Sequence, residues 1–108
     1  MTLYEEYKSR CYSESFHDER DEDGTERVVF VFECYPIMIN DKLIICDGEK
    51  TGYVDFRCVE RYTEFGLDSM FIVSENGDEI EIERGSDEWK YYFDRIEEYI
   101  EQNVDIYN

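Results

Sequence analysis

The chain has 108 residues, 42% of them hydrophobic, with 7 Phe, 10 Tyr and 1 Trp; that is enough for one core and too little for two. Its 29 Asp and Glu against 11 Lys and Arg give a formal charge of -18, which argues against free nucleic acid as a ligand and leaves a basic protein surface, a cation or plain solubility as explanations. The aromatic content argues against disorder, and no apolar run approaches the roughly 20 residues that cross a bilayer.

The N-terminal stretch Met1 to Tyr7 lacks a secretory hydrophobic segment, so a single cytoplasmic domain, 1-108, is expected, with Cys11, Cys34, Cys46 and Cys58 reduced. Between Leu3 and Phe16 a short helix is expected to lead into a strand: Leu3, Tyr7 and Cys11 fall at helical spacing, while Tyr12, Glu14 and Phe16 share one face of an extended segment. His17 to Thr25 reads as a polar loop. Val28 to Phe32 reads as a central strand covered on both faces, and Pro36 should end it or begin the next piece. Leu43 to Cys46, a turn at Asp47-Gly48, and Tyr53 to Cys58 suggest two further strands, the second turning Val54, Phe56 and Cys58 inward.

Asn76-Gly77 between Ser69–Glu75 and Asp78–Glu83 predicts a two-residue type I′ hairpin. That closure pairs Val73 with Ile80 and Phe71 with Ile82, four residues that would face the core. It sets Ile72 opposite Glu81 and Met70 opposite Glu83, on an acidic outer face. Ser86 should cap a helix from Asp87 to about Val104. Trp89, Tyr92, Phe93, Ile96, Tyr99, Ile100 and Val104 form its apolar stripe. The fold class is therefore α+β, an antiparallel sheet of about five strands with a C-terminal amphipathic helix packed on one face.

No catalytic signature accompanies the lone His17. Cys34, Cys46 and Cys58 recur every twelve residues, which is no zinc spacing, and read better as buried small hydrophobes. The loop from Glu19 to Thr25 imitates the front of a calcium loop, but its twelfth position is Phe30 instead of a bidentate Glu. No enzyme activity, metal or cofactor is expected.

What remains is the one-signed charge. Glu79, Glu81 and Glu83 alternate along a strand, about 6.8 Å apart. Asp94, Glu97, Glu98, Glu101 and Asp105 crowd one side of the helix, and the like-charge pairs Asp94–Glu98, Glu97–Glu101 and Glu101–Asp105 should each destabilise it by roughly 0.2–0.5 kcal/mol. Asp18, Glu19, Asp21, Glu22 and Asp23 add a third patch. Tyr91, Met70 and Ile72 are candidate anchors, with cover by neighbouring strands the better account of Met70 and Ile72. In size and charge the chain resembles phage anti-restriction and anti-CRISPR proteins and the immunity proteins that neutralise toxin nucleases. That resemblance implies an inhibitor of DNA-mimic type, docking on the basic, nucleic-acid-binding surface of a nuclease or related protein. A structural domain whose charge serves solubility, or a weak cation-binding domain, are the alternatives.

Overall fold

The computed structural model describes residues 2–17, 25–55 and 60–106. Among them, in chain order, are helix α1 (Leu3–Arg10), strands β1 (Tyr12–His17), β2 (Thr25–Ile39), β3 (Lys42–Asp55), β4 (Glu60–Val73) and β5 (Glu79–Glu81), and helix α2 (Asp87–Asn103). The strands form one five-stranded sheet in the order β1-β2-β3-β4-β5, every neighbour antiparallel. The α+β class and the single C-terminal helix on the sheet are as the sequence predicts.

Both helices start where a side chain satisfies an otherwise orphaned amide. Thr2 Oγ1 accepts from the Glu5 N–H at 3.2 Å, and Ser86 Oγ from the Trp89 N–H at 3.1 Å. In α1 the charges suit the dipole, with Glu5 and Glu6 in the first turn and Lys8 and Arg10 in the last. In α2 no cation occupies the last turn. Trp89, Tyr92, Ile96 and Ile100 bury against one face of the sheet, and Phe93, Tyr99 and Val104 pack around them. Tyr7 of α1 closes a second cluster on the opposite face, with Leu43, Ile45 and Val73. The sheet is thus a middle layer between two helices of unequal length. Among the described residues no helix is long and apolar enough to cross a membrane.

The strands are longer than the sequence suggests. Residues 42 to 55 form one strand, so Asp47-Gly48 is not a turn. Pro36 lies inside β2 opposite Ile45, where β1 has already ended: β1 pairs only with residues 28 to 33 of β2. A proline is tolerated there because that side of β2 has no ladder to donate to. The two-residue turn with both φ positive sits at Asn40-Asp41 (φ 49° and 64°), joining β2 to β3, and not at Asn76-Gly77.

The β4–β5 connection is a three-residue loop: the Gly77 N–H donates to the Ser74 carbonyl at 2.9 Å and the Ser74 N–H to the Asp78 carbonyl at 2.8 Å. Gly77, with φ 89°, takes the left-handed position that such a loop demands. The register is therefore one residue away from the expected one, with Phe71 opposite Glu81, Ile72 opposite Ile80 and Val73 opposite Glu79. A one-residue slip exchanges faces. Phe71 and Val73 lie on the α1 side, Ile82 lies under α2, and Ile80 is 58% exposed, so the four residues do not form one core group.

Asp47 stands where the sheet is irregular on both sides. Glu33 and Cys34 of β2 together oppose it, and Asp68 of β4 is the extra residue between Leu67 and Ser69. These are bulges facing each other across one strand. The carboxylate of Asp47 bonds both, Oδ1 accepting from the Cys34 N–H at 2.7 Å and Oδ2 from the Ser69 hydroxyl at 2.8 Å. Cys34, at φ 51°, holds a conformation that a side chain rarely adopts.

Beside α2, burial pushes the Tyr35 hydroxyl up to about 12, with Tyr99 adding to the effect. A phenol that ionises later when folded favours the fold fully below its unfolded value of about 10, and that contribution is lost as pH rises from there to 12. Thermal melts across this window should show Tm falling, and Tyr35→Phe should flatten the fall.

Candidate functional site

The carboxylates singled out from the sequence do not form one surface. Asp94, Glu97, Glu98 and Glu101 are exposed on the side of α2 turned away from the sheet. Asp105 is exposed beyond the helix end, since α2 stops at Asn103 with Val104 as its cap, so Glu101 and Asp105 are not a helical pair. Glu79 and Glu81 project from the opposite face, the α1 side, where Tyr7 Oη donates to Glu79 Oε2 at 3.0 Å. Glu83 lies past the end of β5, exposed, its carbonyl accepting from Ser86. The row of three is thus two residues on a strand and one in the following turn. Asp18, Glu19, Asp21, Glu22 and Asp23 lie outside the described residues, as do Phe56 and Cys58.

Of the proposed anchors, Met70 is fully buried and Ile72 packs against the main core, both covered by neighbouring elements. Tyr91 is 41% exposed on the outer side of α2. Its hydroxyl accepts from Asn40 Nδ2, its ring meets Tyr92 edge-on at 5.2 Å, and Arg95 lies 5.0 Å above it. It is a fixed aromatic at the upper end of the helical acid row.

The cations are disposed in a way the sequence does not reveal. Between described side chains the structure has one contact of salt-bridge geometry, His17 Nδ1 to Glu26 Oε1 at 2.8 Å, an ion pair only when the imidazole is protonated. Four cations lie over aromatic rings instead: Lys8 at Tyr4 (5.7 Å), Arg10 at Tyr7 (4.4 Å), Arg84 at Trp89 (5.4 Å) and Arg95 at Tyr91 (5.0 Å). Arg84 also donates to the Leu67 carbonyl. Among the described residues no salt bridge reaches Asp94, Glu97, Glu98 or Glu101; the Gln102 amide donates to Glu98 at 3.4 Å, and Lys90, exposed one turn before Asp94, is the one cation of α2 on the same side.

From Asp94 to Glu101 four carboxylates span about 10.5 Å of axis at 1.5 Å per residue, one per roughly 3.5 Å. A DNA strand carries one charge per about 3.4 Å along its axis. Among described residues no trio of His, Cys, Asp or Glu is placed to hold a metal. The thiols are the reverse of activated: burial pushes Cys46, Cys34 and Cys11 all upward, whereas reactive cysteines are shifted down. Cys46 is buried under α2 and Cys34 is exposed at the bulge, so these two do not converge as zinc ligands would.

Sequence reasoning missed a second group of acids. Glu14, Glu33, Glu49 and Glu64 share the sheet face opposite α2 with Tyr12 and Phe16. The spacing of Tyr12, Glu14 and Phe16 gave a hint of it, but their neighbours depend on the bulges. Compared with known protein families, with curated protein sequences and with solved structures, the chain matches none.

Proposed function

We propose that this protein is an acidic inhibitor or adaptor of DNA-mimic type, which lays the outer side of α2 on the basic, nucleic-acid-binding surface of a partner such as a nuclease. The observation that carries the reading is the disposition of charge on that helix. Asp94, Glu97, Glu98 and Glu101 follow one another at axial steps of about 4.5, 1.5 and 4.5 Å, a mean charge density close to that of one DNA strand, while Arg95 lies over Tyr91. A surface evolved only for solubility has no need to place acids against the helix dipole and against one another. An excess of ordered anions also speeds encounter with a basic partner.

The test is Glu98→Lys with Glu101→Lys, measured against the nucleic-acid-binding protein that elutes last in a salt gradient from the immobilised chain. Removing two like-charge pairs and placing cations near the helix C-terminus should raise stability by a few tenths of a kcal/mol. Affinity should instead fall by at least about tenfold, and duplex DNA should compete with the wild-type complex. A partner that binds the reversed variant equally well, or that holds DNA and this protein together, would overturn the reading.

A further inference from the structure

We propose that the helix-free half of the sheet face opposite α2 is a separate docking site for an extended protein segment bearing arginine or lysine. This inference does not rest on the α2 reading, since the two surfaces lie on opposite sides of the sheet.

The geometry starts from length. Three strands of 14 or 15 residues reach about 48 Å at 3.4 Å per residue, matching the 51 Å long axis. Helix α1, with 8 residues, covers only about 12 Å of one face. Beyond it no described helix lies over that face. The register places Tyr12 beside Glu33 in one row and Glu14, Val31, Glu49 and Gly66 in the next, which are the open part of the face; in the third row, Phe16, Val29, Thr51 and Glu64, the central Val29 and Thr51 are already buried. Tyr12 and Phe16 are 49% and 39% exposed, although strand aromatics normally seek cover.

Within the first two rows a groove of about 260 Å³ has Tyr12 and Val31 as apolar walls and Glu33, Glu49 and Asp68 on its rim, and no described cation lines it. Its size is below the usual range for a small-molecule site and suits one long side chain. The Tyr12 hydroxyl donates to Glu14, which holds the ring, and a hydrogen atom in place of a side chain at Gly66 leaves open space beside Glu49. An aromatic wall and a carboxylate rim are what a guanidinium or ammonium group needs: a ring face for the cation and oxygens for its N–H donors. At a net charge of -18, a second copy of this chain would be repelled from the same face, so the occupant is a cationic partner.

The probe is a fluorescein-labelled peptide in which arginine alternates with valine, so that all guanidinium groups share one side of an extended chain. Fluorescence anisotropy should show saturable binding, and the same peptide with citrulline for arginine should not bind. Tyr12→Ser, which leaves net charge unchanged, and Glu33→Gln with Glu49→Gln should each weaken binding at least about fivefold. Glu75→Gln with Asp78→Asn removes the same charge at the other end of the sheet and should change affinity by less than about twofold. All three exchange exposed side chains, and matching melting curves will show that the variants fold. Equal loss from the Glu75/Asp78 variant, no loss from Tyr12→Ser, or binding of the citrulline peptide would overturn the site. None of these outcomes bears on whether α2 engages its own partner.

Discussion

Ile96→Ala is expected to lower unfolding stability by about 2–5 kcal/mol, the range for truncating a buried isoleucine that the surroundings cannot fill. Ile96 has 0% exposure at the middle of the α2 stripe, and its neighbours Trp89, Tyr92 and Ile100 are held by a capped helix that cannot easily sink into the void. For a domain whose total stability is about 5–15 kcal/mol, that is a large fraction. It corresponds to a Tm decrease on the order of 10–20 °C. Urea titration of both proteins is the check; a decrease under about 1 kcal/mol would mean that α2 is only loosely attached. The consequence reaches function, because the outer carboxylates of α2 are ordered only as far as its inner face is anchored.

Gly48 of β3 and Gly66 of β4 stand one register step apart, opposite Leu67 and Glu49, and should respond to alanine in opposite directions. A methyl group on Gly48 would stand 2.3 Å from the Gly66 carbonyl oxygen and 2.8 Å from Leu67 Cδ2. The first of these contacts is backbone and cannot rotate away. Separating the strands would strain the bulge at Asp68, so Gly48→Ala should cost at least about 1–3 kcal/mol, as overpacked sites do. At Gly66 an added methyl meets nothing within 4 Å, and no left-handed backbone is required. Gly66→Ala should therefore stabilise by about 0.5–1 kcal/mol through the unfolded chain's lost freedom. Equal effects of the two substitutions in denaturant titrations would contradict the packing at the bulges.

The contrast shows where sequence reasoning succeeds. Helix α2 is legible from Ser86 to its last turn because cap, period and apolar stripe are all local, and its outward acids follow from the same period. The strand pairing is legible only in outline. Asp47-Gly48 has the composition of a turn, but Gly48 serves a close approach of two backbones instead. Asn76-Gly77 marks a hairpin correctly and its register wrongly. The deciding energy is the burial of Met70 and Ile82 under α2, which no turn residue encodes. The face opposite α2 was out of reach for the same reason: the rows of Glu14, Glu33 and Glu49 exist only once two bulges have set which residues stand side by side.

Those bulges make the alignment of the long strands unique. Strands of alternating pattern can slide past one another by two residues and still turn the same side chains inward, at the expense of little more than their frayed ends. Asp47 prevents this, as a key engaged in a notch on either side. Any slide carries Cys34 or Ser69 away from its carboxylate and strands a half-covered charge between two kinked neighbours. The positions of the described acids on the sheet face are thus indexed to one aspartate, whose own carboxylate is spent on the sheet. Selection on what the protein presents to its partners would be felt at Asp47 before it was felt at most of the surface.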